Sequence, residues 1–157
     1  MREILFRGKR TDNGEWVEGL VARYNPKFDC ANIVDGFESL VPVKTETVGQ
    51  YTGLTDKNGK KIFEGDILHF KAHQGGGFVC PIGTDIYYRV VFGCCNPDMD
   101  TLTDYIGFWA LGLEYCDDDL YQDGWSIQYL VHSHGACIVG NIHDNPEFLE
   151  VQNDTRI

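Results

Sequence analysis

The chain has 157 residues, of which 43% are hydrophobic and 13% aromatic, and its formal net charge is −11. A chain of this length can bury roughly 68–70% of its unfolded surface, so a single globular domain that needs no disulfide or metal is expected. The acidic balance argues against direct nucleic-acid binding, which favours a basic excess, and against electrostatic attachment to an anionic membrane.

The acidic excess is confined to the later part of the chain. Residues 1–61 contain ten basic and nine acidic side chains, whereas residues 62–157 contain three basic and fifteen acidic ones. Between Arg89 and Arg156 there is no Lys or Arg, but there are twelve acids. Such an asymmetry suggests an interaction surface, although a solubilising face is the commoner explanation.

The N-terminal residues indicate a cytoplasmic protein. They include an acid and lack the apolar region of a signal peptide, and no apolar run reaches the ~18 residues of a membrane span. Without a secretory signal, cysteines are expected as reduced thiols. The six are Cys30, Cys80, Cys94, Cys95, Cys116 and Cys137.

The first elements in chain order form a hairpin. Residues 3–9 predict a strand and residues 15–21 its return strand, with Trp16 expected to face the core. Asn13-Gly14 between them is typical of a two-residue type I′ turn, because both residues tolerate positive φ. Residues 39–44 predict a short strand, which Pro42 would place at a sheet edge.

Residues 46–70 predict a strand, a second Asn-Gly turn at Asn58-Gly59, and a second strand. Gly65 is expected to permit a sharp bend or bulge within it. Further strands are predicted at 86–92, 107–113, 126–131 and 136–142. Asn145-Pro146 then resembles the start of a helix, which predicts a short terminal helix over 145–150. Period-2 segments dominate, so the fold class is mainly β.

Three segments in this region resemble the signature of the YopX family: TVGQYTGL (47–54), DKNGK (56–60) and IFEGDI (62–67). The opening MREILFR (1–7) and the later IVGNIHDNPEFL (138–149) resemble that family as well. The resemblance implies a phage or prophage protein, mainly of Gram-positive bacteria, with a small barrel-containing β fold. It supplies no activity, because the family has no established biochemical function.

We therefore predict one YopX-like domain over residues 1–157, with a variable insertion at roughly 71–136. Its core is expected to be a small barrel-like (SH3-like or YopX-like) arrangement of hairpins followed by the short C-terminal helix. Most signature residues are explained by turns and core packing. The polar exceptions are predicted to hydrogen-bond turn backbones rather than a ligand. These are Gln50, Glu64, Asp66 and Asn141.

Histidines near the end of the chain are the candidate metal ligands. His132 and His134 form a His-x-His pattern, which on a strand places both imidazoles on one face. A third ligand could come from His143, Asp144 or Cys137. Histidines in such a segment are more often loop or surface residues than metal ligands. A metal-dependent or small-molecule-binding enzyme that uses His132, His134 and His143 is therefore kept as an alternative to the leading function.

No catalytic residue and no cofactor are predicted. Cys94 and Cys95 carry no local signature of a thiol hydrolase, and neighbouring carboxylates would oppose thiolate formation. The acidic loop residues and a nearby tryptophan are candidate interaction residues instead. These are Asp117, Asp118, Asp119 and Trp125.

The leading predicted function is that of a non-enzymatic phage accessory protein acting through protein contacts. Its expected partners are itself, as a homo-oligomer, and an unidentified phage or host protein, since edge strands of a small β protein favour self-pairing. A further alternative is a DNA mimic, in which ordered carboxylates imitate phosphates and occupy a host DNA-binding protein.

Overall fold

The computed structural model describes residues 3–36, 39–74, 81–94, 106–112 and 126–150, and it is mainly β. The chain divides into two compact units: unit 1 comprises Met1–Gly53 and unit 2 comprises Leu54–Ile157. Over the described ranges, none of the helices has the length and apolar character required to cross a membrane.

Strands dominate both units. In chain order they are β1 (Phe6–Lys9), β2 (Trp16–Asn25), β3 (Cys30–Val34), β4 (Leu40–Val43), β5 (Gly49–Thr55), β6 (Lys61–Phe63), β7 (Asp66–Lys71), β8 (Asp85–Cys94), β9 (Ile106–Gly112) and β10 (Cys137–Asn141). The α-helices are α1 (Ile127–His134) and α2 (Glu147–Glu150), and 3-10 turns lie at Pro26–Phe28 and Thr45–Thr47.

In unit 1 the strands lie in the order β4-β3-β2-β1-β5. Consecutive strands β1 to β4 pair antiparallel, and β1 also pairs antiparallel with β5. One face of this sheet forms the apolar core, since alternate strand residues point to the same side. The core residues are Ala31, Ile33, Val41 and Val43, with Val17, Val21 and Val48 packed against them.

The edge strand β4 bonds back to the end of β1. Arg10 and Val43 form an isolated antiparallel bridge. Lys44 N donates to Lys9 O at 2.8 Å and Thr11 N donates to Pro42 O at 3.1 Å. The edge position predicted from Pro42 is confirmed. No closed barrel is found among the described residues.

The prediction for Trp16 is wrong. Val17 packs against the core, so its neighbour Trp16 points to the opposite face of β2. Its ring is half-buried beneath two cations, the Arg7 guanidinium carbon at 4.6 Å and Lys9 Nζ at 5.6 Å from the centroid. The aromatic face therefore serves cation–π contacts instead of the core.

The first hairpin is confirmed, but its turn type is not. Gly14 has φ +74°, whereas Asn13 is not among the described residues with positive φ, as a type I′ turn would require. Asn13 Oδ1 accepts from Glu15 N at 3.0 Å, and Asp12 Oδ1 accepts from Asn13 N at 2.8 Å. These side-chain bonds stabilise a longer loop in which only glycine is left-handed.

The sheet of unit 2 has the order β10-β7-β8-β9, with all neighbours antiparallel. Helix α1 packs on one face of this sheet. The core contains Leu68, Phe70, Ile86, Tyr88, Val90 and Ala110 from the sheet and Ile127 and Leu130 from the helix, together with Ile62, Ala72 and Ala136.

The strand predicted at 126–131 is wrong, because residues 127–134 form α1. Ile127 and Leu130 are both buried, and their spacing of three is helical. Ser126 caps the start by accepting from Tyr129 N, and Gly135 ends the helix in the left-handed conformation with φ +64°. The short terminal helix predicted at 145–150 is confirmed as α2.

Candidate functional site

Asp66 is a buried structural carboxylate at the start of β7. Its side chain is 1% exposed. Oδ2 accepts from Phe63 N at 2.8 Å, and Oδ1 accepts from Asn141 Nδ2 at 3.4 Å. The carboxylate thus closes the turn between β6 and β7 and ties it to β10, as predicted for a signature residue that bonds turn backbone.

Asn141 organises the later motif in the same way. Its Oδ1 accepts from His143 N at 3.0 Å, and its backbone N donates to Asn145 Oδ1 at 3.4 Å. A Cβ on Gly140 would lie 2.4 Å from Asn145 Oδ1, so a larger residue there would displace the Asn145 side chain from this hydrogen bond. The motif over 138–149 is therefore a folded unit held by amide side chains.

Asp56 links the second hairpin turn to β10. Its Oδ1 accepts from Asn58 N at 2.8 Å and Lys60 N at 2.9 Å, while Oδ2 accepts from Ile138 N at 3.0 Å. Burial raises the pKa of Asp56, but hydrogen bonds from Ile138, Lys60 and Asn58 outweigh it and leave that pKa below its usual value. Gly59, with φ +81°, supplies the left-handed position of the turn.

The structure separates the predicted metal ligands. Because residues 127–134 are helical, His132 and His134 do not share one face as they would on a strand. His132 Nδ1 lies 2.9 Å from Gln128 O of its own helix, and His143 lies in the turn after β10 with Asp144. Across the described part of the chain, no group of three or more His, Cys, Asp or Glu residues could hold a metal ion.

His134 instead meets a histidine that the prediction had not paired with it. Its Nδ1 lies 2.8 Å from His73 Nε2, and the two ring centroids are 4.8 Å apart. Burial lowers the pKa of His134, and the neighbouring His73 lowers it further. No sequence spacing marks this contact, because the two residues are 61 positions apart.

A second polar cluster lies on the other face of the unit 2 sheet. Asp85 Oδ1 is 2.7 Å from His69 Nε2 and 3.0 Å from Lys71 Nζ, and these partners, Lys71 first, lower the pKa of Asp85. Cys137, a free thiol paired in register with His69, directs its Sγ to the His69 carbonyl oxygen at 3.7 Å. The cluster is a set of cross-strand contacts that join β7 to β8 and to β10.

Unit 1 presents an apolar row on the sheet face opposite its core. Leu20 pairs in register with Val34, and Val34 pairs with Leu40, so the three side chains lie side by side across β2, β3 and β4. We call Leu20, Val34 and Leu40 the outer row. Leu20 is 57% exposed and Leu40 is 65% exposed, while Val34 is half-buried.

Several basic residues of unit 1 are engaged within the fold. Arg7 is 8% exposed and stacks on Trp16, and Arg10 forms a 2.7 Å ion pair with Asp12. The interaction candidates in the acidic loop, Asp117, Asp118, Asp119 and Trp125, lie outside the described residues.

A solved structure resembles this chain throughout its length. The crystal structure of protein EF1440 from Enterococcus faecalis is similar at 22% identity, with a TM-score of 0.52, over 95% of this chain and 99% of that chain. At this identity the likeness shows the fold alone. No curated protein matches the sequence.

A family model confirms the sequence resemblance. The model described as YopX protein matches residues 5–76, which include all three signature segments. The match ends near the start of the segment predicted to vary, at roughly residue 71. Residues 5–76 of this chain therefore match the YopX family, as the sequence resemblance predicted.

Proposed function

We propose that the protein is a non-enzymatic phage or prophage accessory protein that acts in the bacterial cytoplasm through protein contacts. We further propose that it self-associates through the outer row of unit 1. The exposed row of Leu20, Val34 and Leu40 is the observation that carries this proposal. The match of residues 5–76 to the YopX family model supports the phage assignment.

Apolar burial supplies the attraction. Fully burying a leucine or valine side chain stabilises an association by about 1.5–3 kcal/mol relative to leaving it exposed. In a two-fold dimer the same surface of each copy faces its counterpart, so the contact buries the outer rows of both copies. Two exposed leucines per copy, with the half-buried Val34 between them, provide a central apolar contact.

The charge distribution favours contact at unit 1. Residues 1–53 hold seven basic and eight acidic side chains, a net of −1, whereas residues 54–157 hold six and sixteen, a net of −10. A second copy can therefore approach unit 1 with little like-charge repulsion. This charge pattern supports a second copy of unit 1 as the proposed occupant of the outer row.

The backbone of β4 supports side-chain association over edge-strand pairing. Pro42 has no N–H, and its carbonyl oxygen already accepts from Thr11 N. With the Lys44–Lys9 bond and the Arg10–Val43 bridge, these contacts support a barrel-like closure of β1 to β4. Edge pairing, the route expected from the sequence, would compete with these internal bonds.

Sedimentation velocity on the full chain tests the proposal. The weight-average mass of the wild type is expected to rise from the 17.8 kDa of one chain toward twice that value as concentration increases. Leu20→Lys and Leu40→Lys place a charge in the apolar contact, so each variant is expected to remain at the mass of one chain.

Ile4→Lys is the matched control, because Ile4 is an exposed aliphatic residue, 60% accessible, outside the outer row. It is expected to associate like the wild type. A wild type that stays monomeric at every concentration, or two row variants that associate as well as Ile4→Lys, would contradict the proposal.

A further inference from the structure

Two imidazoles of unit 2 converge on one point. His73 follows the end of β7, and His134 is the last residue of α1. His73 Nε2 and His134 Nδ1 lie 2.8 Å apart, so each ring directs a nitrogen at the other. Imidazole nitrogen is a donor that suits borderline transition metals, so two such nitrogens in contact are candidate ligands of one ion.

The backbone sets the protonation of His73. Its Nδ1 lies 3.2 Å from Gln74 O, a carbonyl that can only accept a hydrogen bond. The proton of neutral His73 therefore sits on Nδ1, and its Nε2 accepts a hydrogen bond from His134 Nδ1. A metal ion that binds both nitrogens takes the place of this bridging proton, which is released to solvent. Metal-binding histidines commonly show this pattern, in which the distal N–H bonds a backbone carbonyl.

Two aromatic rings hold His134 in place. Phe70 of β7 stacks on it with centroids 4.9 Å apart, and Tyr129 of α1 meets it edge-on at 5.1 Å. Gly135 then ends α1 in the left-handed conformation, which fixes the last helical turn. A ring held by packing on a regular element offers a preorganised ligand.

We propose that His73 and His134 together form a binding site for a divalent late first-row metal ion, such as Zn²⁺ or Cu²⁺. With Zn–N bonds of about 2.0–2.1 Å and a tetrahedral angle, two ligand nitrogens stand about 3.3 Å apart. The observed pair thus needs to separate by about half an ångström, a movement that the exposed His73 can supply.

The site is an open one. In the part of the chain that the structure describes, no group of three or more His, Cys, Asp or Glu includes this pair, so the proposed site leaves coordination positions for exogenous ligands. The net charge of −10 on residues 54–157 attracts cations to this unit. This site is independent of the outer row of unit 1, so either proposal can fail alone.

Calorimetric titration of the untagged full chain with ZnCl₂ and with CuCl₂ tests the site. The wild type is expected to bind one equivalent of each ion. His73→Gln and His134→Gln each remove one of the two ligands, so each is expected to raise Kd at least about tenfold. Removing a residue that only hydrogen-bonds a metal ligand already weakens binding by about that factor.

His132→Gln is the matched control. His132 lies on the same helix, two residues from His134, but its ring contacts Gln128 O of that helix. It is expected to bind like the wild type. As a second readout, Cu²⁺ should broaden the NMR signals of the His73 and His134 rings before those of His132.

Circular dichroism and urea midpoints establish that the variants fold, and His73→Gln is the more informative variant because His73 is exposed. Three results would overturn the proposal: a wild type that binds neither ion, a folded His73→Gln with unchanged affinity, or an equal loss in His132→Gln.

Discussion

At the scale of single residues, the polar positions of the YopX signature act as backbone acceptors. Asp56, Asp66 and Asn141 each satisfy main-chain N–H groups of turns, and each joins segments distant in sequence. The sequence predicted this type of role for Asp66 and Asn141, because short polar side chains beside glycines are typical of turns. It could not supply their partners, since Asp66 and Asn141 bond each other across 75 positions of sequence.

Asp56→Ala is expected to lower the free energy of unfolding by about 1–3 kcal/mol, because a buried acceptor of three backbone N–H groups is lost. Urea denaturation at neutral pH measures the change. Glu46→Ala, at an exposed carboxylate of unit 1, is the control and should leave the midpoint unchanged.

The same carboxylate makes stability depend on pH. Hydrogen bonds hold the pKa of folded Asp56 below its unfolded value of about 3.9, so its contribution is present above that value and lost as pH falls through the folded pKa. The wild type should therefore lose stability more steeply than Asp56→Ala below about pH 4. If the free energy of unfolding falls equally steeply below about pH 4 in both proteins, this role of Asp56 is excluded.

At the scale of elements, most strands were predictable, whereas β3 and α1 were not. Alternation and β-branched residues marked the strands of both sheets. Residues 126–131 are apolar enough to read as a strand over six positions, and a run this short leaves helix and strand ambiguous. The helical conformation is stabilised because it lets Ile127 and Leu130 pack together in the core of unit 2.

Two turn glycines offer a matched comparison. Gly59 and Gly65 have φ of +81° and +82°, so alanine at either position pays a similar backbone cost of about 1–2 kcal/mol. Only at Gly65 would the new Cβ also meet a side chain, Asn141 Nδ2, at 3.2 Å.

Gly65→Ala is therefore expected to lower the free energy of unfolding more than Gly59→Ala does. The additional loss is about 1–3 kcal/mol, because the new methyl group overpacks against Asn141. Urea midpoints of the two variants measure the difference. Equal losses would show that Asn141 yields to the added methyl group.

At the scale of the whole molecule, the charge asymmetry has a measurable consequence for self-association. Each copy carries −11 in total, of which −10 lies in residues 54–157. Two associating copies therefore repel overall, even where the contact itself is nearly neutral.

Added salt shortens the Debye length from about 10 Å at 0.1 M to about 3 Å at 1 M and weakens this repulsion. The dimer proposed through the outer row should tighten with salt, as measured by sedimentation equilibrium. An association that weakens with salt would instead point to contacts between opposite charges.

The sequence by itself determined the YopX resemblance over residues 5–76, the mainly β class, most strands and the turn-bonding role of Asp66 and Asn141. These properties follow from local alternation, glycine positions and contiguous motifs. Only the tertiary structure decided that Trp16 faces away from the core, that 127–134 is a helix and that His134 meets His73. The physical reason is that each of these depends on packing between residues far apart in the chain, which no local pattern encodes.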